Sequence, residues 1–195
     1  MRSRLLLIGS VLIVMGAITS AAAWQLSRVG VHEGYAPPQP IAFSHKVHAG
    51  DWKVPCLYCH SAARTSRHAG IPSANVCMNC HAILQKEVAE LEKLKEFIQQ
   101  DRPIAWVKVH NLPDFVYFNH SQHVLAAVTC QECHGPVETM ARLRQESPLT
   151  MGWCLECHRE RGLIGARQKH IAAQTHSDAA TLASLPGLDC GKCHY

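Results

Sequence analysis

The sequence predicts a mainly helical fold with short α-helices and loops, few strands, and one membrane-spanning helix at the N-terminus. Three observations lead to this prediction. The run from Leu5 to Trp24 carries no charge. All ten cysteines of the 195-residue chain occur in copies of Cys-x-x-Cys-His, with none left over. The stretch 43–195 holds every copy, so each has only about 31 residues, too few for an ordinary side-chain core.

The N-terminal segment is the first predicted element. Its uncharged run is long enough to cross a bilayer as a helix. Arg2 and Arg4 precede it, so the N-terminus is predicted in the cytoplasm and the rest on the periplasmic side of the inner membrane. The alternative is a cleaved signal peptide, but the apolar region of such a peptide is usually about 7–15 residues long. We predict a membrane anchor over 1–28 and an extended, proline-containing linker over 29–42.

Five cysteine motifs carry the strongest functional signal. They are motif 1 (Cys56, Cys59, His60), motif 2 (Cys77, Cys80, His81), motif 3 (Cys130, Cys133, His134), motif 4 (Cys154, Cys157, His158) and motif 5 (Cys190, Cys193, His194). Zinc would need four ligands per site, and five pairs cannot be shared out evenly. A thioredoxin-like pair would occur once, in a βαβ pattern that is not visible here. In c-type haem attachment, two thiols one helical turn apart capture two vinyl groups and the adjacent imidazole binds the iron.

The sequence therefore predicts five covalently bound c-type haems, which take the place of the missing core. The predicted fold class is a multihaem cytochrome c, with short helices and loops wrapped around the haems. The formal net charge of +4 does not indicate a nucleic-acid partner. About two propionates on each haem would outweigh that charge, and the chain has no basic patch interleaved with aromatic residues.

An internal repeat divides the haem region. Phe43 and Phe118 each begin the pattern Phe-x-His-x-x-His, followed after seven or six residues by Cys-x-x-Cys-His. A second motif follows in each copy. Within a cytochrome domain over 43–195 we predict two-haem modules at 43–81 and 118–158, a connecting helix and loop at 82–117, and the fifth haem in 159–195.

The connecting segment contains a helical pattern. Apolar residues at helical spacing run through 84–100 and predict a solvated helix with one face on the protein: Leu84, Val88, Leu91, Leu94 and Ile98. A docking surface for a partner is the alternative interpretation. The segment 107–118 is predicted to hold a short strand around Pro113.

The histidines outside the motifs decide whether each iron is closed or open. Each module supplies two upstream histidines, His45 with His48 and His120 with His123, the number needed as distal ligands for two haems. A closed, six-coordinate iron exchanges electrons and binds no substrate. The sequence does not single out the fifth distal ligand. Its candidates are His68, His110, Met140, Met151, His170 and His176.

These motifs carry a family resemblance. Phe-x-His-x-x-His before Cys-x-x-Cys-His resembles the class III multihaem cytochromes, cytochromes c3 and c7. The resemblance implies that His45 ligates the haem on His60 and His120 the haem on His134, while His48 and His123 reach neighbouring haems. Nearly the full length also resembles the membrane-anchored pentahaem subunits of alternative complex III. The matching segments are YAPPQPIAFSHKVHAG, HAGIPSANVCMNCH, VHNLPDFVYFNHSQH, SPLTMGWCLECHRE and CGKCHY.

The narrower resemblance implies a place in a quinol-oxidising respiratory or photosynthetic membrane complex. Integral membrane subunits would oxidise quinol, and an iron–sulfur subunit would pass electrons to this chain. The chain would hand them to a periplasmic mono-haem cytochrome c, an oxidase or another acceptor, acting as an electron carrier and not as an enzyme by itself. Alternatives are the pentahaem subunit of a menaquinol reductase complex, a membrane-anchored multihaem quinol dehydrogenase, a small multihaem reductase with an open iron, and a soluble electron-pool cytochrome.

Overall fold

The computed structural model describes residues 2–84, 88–161, 191, 193 and 194, and the chain divides into two units, Met1–Val31 and His32–Tyr195. The first unit is the helix α1, Arg2–Ser27. Its segment Ser3–Ser27 has a mean hydropathy of 2.3, and the apolar side chains are exposed along it. By length and composition α1 can span a membrane, a test that a signal sequence near the N-terminus also passes.

The second unit is built of short helices. Among its described residues these are the π-helix Lys46–Asp51, the 3₁₀ helices Ser61–Arg64 and Val137–Thr139, and the α-helices α2 (Cys56–Cys59), α3 (Ala74–His81), α4 (Ala89–Gln99), α5 (His120–Leu125), α6 (Cys130–His134) and α7 (Met151–Glu160). β-Pairing in this described part consists of a single antiparallel bridge between Val116 and His194. The mainly helical fold class is confirmed.

The sequence starts a helix at or just before each of the first four motifs. Pro55, Ser73, Thr129 and Thr150 occupy the N-cap positions of α2, α3, α6 and α7, all with extended backbones. The Thr150 hydroxyl accepts a hydrogen bond from the backbone N–H of Trp153 at 3.4 Å. A threonine that accepts at this position satisfies one of the unpaired N–H groups of a first turn. Each motif is thereby placed on a helical turn that brings its two thiols to one face.

The apolar core of the described part is small. Its buried apolar side chains are Ile41, Ala63, Leu94, Val109 and Met140. Many large apolar side chains are instead exposed in the second unit, including Ile83 at 82% and Leu125 at 75%. So little buried apolar surface is far below what a domain of this size ordinarily needs.

A polar residue ties the start of the second unit to its later part. Gln145 is completely buried, and its side chain accepts from the N–H of Asn111 at 2.9 Å and donates to the carbonyl of Ser147 at 3.0 Å. Its backbone accepts from Gly34 N–H at 2.7 Å and donates to the Tyr35 carbonyl at 3.0 Å. The segment expected to act as a linker is therefore hydrogen-bonded to the folded unit from Gly34 onwards.

The two repeats differ in their first helical turn. His48 lies in the π-helix Lys46–Asp51 and His45 is its N-cap, whereas His120 and His123 lie on the α-helix α5. A π turn accommodates one more residue than an α turn, and the first repeat has seven residues before its motif where the second has six. The π-helix packs on the 3₁₀ helix Val137–Thr139, where a Cβ on Gly50 would collide with the backbone carbonyl of Glu138.

The connecting segment differs from its prediction in two respects. The helix α4 begins at Ala89, because Val88 has an extended backbone at its N-cap, and Leu84 lies outside it. Leu94 faces the protein and is buried. The strand expected around Pro113 is reduced to the bridge at Val116, since a proline has no N–H to donate to a ladder.

Candidate haem sites

The motif cysteines are arranged as pairs of free thiols. The nine that the structure describes form no disulfide, and Cys190 lies outside the described residues. Within that described part no group of three or more His, Cys, Asp or Glu side chains could hold a metal ion. A tetrahedral zinc site needs four such ligands, so the arrangement argues against zinc at the described motifs.

Motif 1 contacts both motif 2 and motif 3, so the motifs do not follow chain order in space. Motif 2 contacts motif 1 through a hydrogen bond from the Asn79 amide to the Tyr58 hydroxyl at 3.0 Å. Motif 3 also lies against motif 1. Burial, followed by the contact with the Cys56 thiol, raises the pKa of the Cys130 thiol.

Motif 4 lies on the other side of motif 3. The Arg161 guanidinium, just after motif 4, forms an ion pair with Glu132 inside motif 3. Burial and the nearby Cys157 and Cys154 thiols raise the pKa of Cys133 to about 11. The first four motifs therefore follow the spatial order 2, 1, 3, 4.

The described part of motif 5 is attached to the segment that precedes Phe118. The N–H of Tyr117 donates to the carbonyl of Cys193 at 2.6 Å, and Val116 forms the bridge with His194. The Phe115 ring lies 5.6 Å from the His194 ring. Burial raises the pKa of the Cys154 thiol, and the nearby Cys193 thiol raises it further. Motif 5 therefore lies near motif 4.

Three motif histidines face an upstream histidine across a gap. Their ring centroids are separated by 6.0 Å for His48 and His81, 6.4 Å for His120 and His134, and 6.1 Å for His123 and His158. Two imidazole nitrogens bound on opposite sides of one metal, each about 2.0 Å away, put the ring centres roughly 6 Å apart. Each gap therefore has the width that one metal between two imidazoles requires.

A phenylalanine holds each upstream pair of imidazoles in the same way. Phe43 stacks on His48 at 4.3 Å and meets His45 edge-on at 4.9 Å. Phe118 repeats this with the second pair, at 4.5 Å and 4.7 Å. The sequence showed that the phenylalanine recurs, but its role as a common support for both rings became visible only in the structure.

The ring nitrogens that would face away from a metal find different partners. The Nδ1 atoms of four histidines lie 2.6–2.9 Å from backbone carbonyls: His48 with Ser44, His60 with Gly70, His120 with Arg67, and His123 with Asn119. Nδ1 of His134 lies instead 3.1 Å from Nε2 of His110. Such contacts fix the orientation and tautomer of a metal-binding imidazole. The buried Nδ1 atoms of His45, His81 and His158 have no hydrogen-bond partner in the described structure.

Burial keeps several of these imidazoles neutral, the form that binds a metal. Burial and the neighbouring His60 lower the pKa of His45 to about 4. Burial and the neighbouring His110 lower the pKa of His134 to about 3. The structure thus brings His45 near His60, as the family resemblance implies.

The candidates for the fifth distal ligand are scattered. His68 is exposed, Met140 is buried with 3% of its surface accessible, and Met151 is 65% exposed at the start of α7. His110 contacts His134 directly, with ring centroids 4.3 Å apart, which leaves no space for a metal between them. His170 and His176 lie outside the described residues. The fifth distal ligand stays a prediction with several candidates.

The described residues fit c-type haem. Paired thiols lie on helical turns, imidazole pairs flank gaps of metal-binding width, and exposed apolar side chains surround them. A covalently attached porphyrin would cover such side chains and supply the apolar core that the chain lacks.

Comparison with known proteins agrees with this site. Residues 96–195 match the class III cytochrome c family, so the chain belongs to that family, whose members carry covalently bound c-type haems. A 97-residue stretch is 36% identical to the protein named "Menaquinone reductase, multiheme cytochrome c subunit" of Nitratidesulfovibrio vulgaris (strain Hildenborough). That stretch covers 49% of this chain and 45% of the relative, so the chain matches less than half of the relative's length. The chain is thus a multihaem electron-transfer cytochrome.

Proposed function

We propose that this chain carries five haems and is the membrane-anchored electron-transfer subunit of a quinol-oxidising complex of the alternative complex III type. The observation that carries the proposal is the set of three imidazole pairs with centroids 6.0–6.4 Å apart, on motifs that contact one another in a row. Closed irons in a row suit electron transfer and offer no place for a substrate. The chain is then a carrier, and the enzymatic reaction belongs to its partner subunits.

The roles of the residues follow from their placement. Haem supplies one-electron chemistry at its iron. The cysteines of each motif would hold a haem covalently, and the motif histidine would bind its iron. His48, His120 and His123 would supply the second iron ligand in motifs 2, 3 and 4, and His45 would supply it in motif 1. The phenylalanines stack on the distal rings and keep them at the required separation.

The contacts between motifs support an order for the proposed relay. Motif 2 is one end, motif 1 lies next to it, and motifs 3 and 4 follow, with motif 5 beyond motif 4. The join between the two modules is therefore the pair of motifs 1 and 3. Electrons from an iron–sulfur subunit would enter at one end of this row and leave at the other towards a mono-haem cytochrome or another acceptor.

The sequence relative supports a second assignment. A subunit named for menaquinone reductase belongs to a complex that delivers electrons to a quinone, the reverse of quinol oxidation. The same haem row would serve either direction, because a row of closed irons has no built-in polarity. The partners and the potentials of the haems then decide which assignment applies.

Purification of the native complex in mild detergent tests the proposal. We expect integral membrane and iron–sulfur subunits to co-purify, a chain mass that includes five haems, and quinol oxidation coupled to reduction of a mono-haem cytochrome c. Menaquinone reduction by the complex, without quinol oxidation, would transfer the assignment to the menaquinone reductase type. A chain that ran alone, or that oxidised quinol by itself, would contradict the proposal.

A further inference from the structure

His110 has an arrangement that the haem sites described above do not use. Its Nε2 lies 3.1 Å from Nδ1 of His134, and the two rings meet edge-on with centroids 4.3 Å apart and an angle of 84°. In the described structure, the other haem-site histidines whose Nδ1 atom has a contact place it against a backbone carbonyl. Motif 3 therefore differs from these sites, because Nδ1 of its motif histidine, His134, contacts a side chain.

The backbone around His110 is fixed on both sides. Val109 is buried with 6% of its surface accessible. The N–H of Asn111 donates to the amide oxygen of the fully buried Gln145 at 2.9 Å. Gln145 is in turn bound by the backbone of Gly34 and Tyr35. His110 is thus presented to His134 from a rigid support and not from a free loop.

The direction of the hydrogen bond follows from which nitrogen faces the haem. Nδ1 of His134 faces His110, so Nε2 is the nitrogen directed to the metal side, where the His120 ring lies nearly parallel at 8°. A metal-binding imidazole carries its remaining proton on the other nitrogen and donates it. Nδ1–H of His134 therefore donates, and Nε2 of His110 accepts.

We propose that His110 is a positioning residue for the haem on motif 3, orienting His134 and making it a stronger electron donor. The inference rests on the haem sites proposed above. An acceptor on Nδ1–H raises the basicity of a ligating imidazole. A more basic axial ligand stabilises the ferric state, so the motif 3 haem has a lower reduction potential than it would have without His110. Because motif 3 joins the two modules, His110 acts on the central step of the relay.

The test compares two variants in the full chain. His110→Phe keeps an aromatic ring beside His134 but removes the acceptor, while His110→Gln retains an acceptor oxygen. His32→Phe serves as the control, because the His32 ring packs edge-on against Tyr35 at 5.6 Å. The readouts are haem-by-haem potentiometric titration, the low-spin EPR spectrum of the oxidised protein, and peptide mass spectrometry of each haem-bearing motif.

We expect His110→Phe to retain every haem and to shift the ferric–ferrous equilibrium of one haem about tenfold towards ferrous, about 59 mV upwards for one electron. The low-spin EPR component of that haem should also move, because the orientation of its axial imidazoles changes. His110→Gln should restore part of both shifts, and His32→Phe should show neither.

Four results would overturn the inference. Unchanged potentials and EPR spectra in His110→Phe would leave His110 as a packing residue. A new high-spin haem would make His110 an axial ligand. If His110→Phe fails to fold, His110→Leu takes its place because it also removes the acceptor, and wild-type potentials in that variant would reject the role. Absence of haem on Cys130 and Cys133 of the wild-type chain would overturn the haem site together with this inference.

Discussion

The buried amide of Gln145 gives the sharpest test of what holds the second unit together. Gln145 is fully buried, and its side chain satisfies two backbone groups, the N–H of Asn111 and the carbonyl of Ser147. In the variant Gln145→Leu the side chain has nearly the same size, and the backbone bonds of residue 145 to Gly34 and Tyr35 stay in place. The substitution therefore removes two hydrogen bonds with little change in packing.

The expected loss of unfolding free energy follows from the N–H of Asn111 and the carbonyl of Ser147, which lose their hydrogen-bond partner. A buried polar group left without a partner costs about 1–3 kcal/mol. Asn111 and Ser147 are half-buried, so water reaches them in part and the lower half of that range applies. Burial of the apolar leucine side chain restores part of the lost unfolding free energy. We expect the free energy of unfolding to fall by about 2–3 kcal/mol.

The assay is urea unfolding of the detergent-solubilised full chain, followed by far-UV circular dichroism and by the Soret band. Gln100→Leu is the matched control, because the Gln100 side chain is exposed and bonds only to Glu96 at 3.0 Å on the surface. The control should stay within about 0.5 kcal/mol of wild type. A Gln145→Leu variant as stable as Gln100→Leu would refute the stabilising role of the Gln145 side chain in holding Asn111 and Ser147.

Further predictions concern the haem row and the π turn. His123→Ala should convert one haem to a high-spin or water-ligated form while the other haems keep their spectra, as seen by EPR and visible absorption; unchanged spectra would reject His123 as a ligand. His48→Met should raise the potential of the motif 2 haem and change the potential of one neighbouring haem in an NMR-followed redox titration. His120→Met should instead change the potentials of the haems on both sides of motif 3. Two affected neighbours for His48→Met would contradict the order 2, 1, 3, 4. Gly50→Ala should cost about 1–3 kcal/mol of unfolding free energy through overpacking, against less than about 1 kcal/mol for the surface variant Asp51→Ala in the same turn. Equal urea midpoints for these last two variants would show that the close approach is not required.

Much of the local structure was predictable because it depends on short-range patterns. The Cys-x-x-Cys-His spacing predicts a helical turn, and each of the first four motifs lies on one. The helical spacing of apolar residues predicts a helix in the connecting segment, and α4 occupies its later part, Ala89–Gln99. The pairing of His120 and His123 with motifs 3 and 4 agrees with the geometry, although ligation itself stays a prediction.

What the sequence did not reveal depends on contacts between distant residues. A glutamine such as Gln145 reads as a surface residue, and only the approach of Asn111 and Ser147 makes its burial favourable. The order of the motifs in space depends on side chains inside them, such as the Asn79–Tyr58 pair, which carry no sequence signature. His110 was one of several ligand candidates, and its contact with His134 joins two residues 24 positions apart in the chain.

The bonds made by the start of the second unit also determine when that unit can be completed. The N–H of Lys46 donates to the carbonyl of Met140, and Gly34 bonds to Gln145, so each partner is synthesised roughly a hundred residues later. These bonds therefore cannot form on the nascent chain until residues near 145 have been synthesised. Loop closure over such distances is slow compared with helix formation. The local helical turns of motifs 1 and 2 can consequently form before the start of the second unit is tied to its later part.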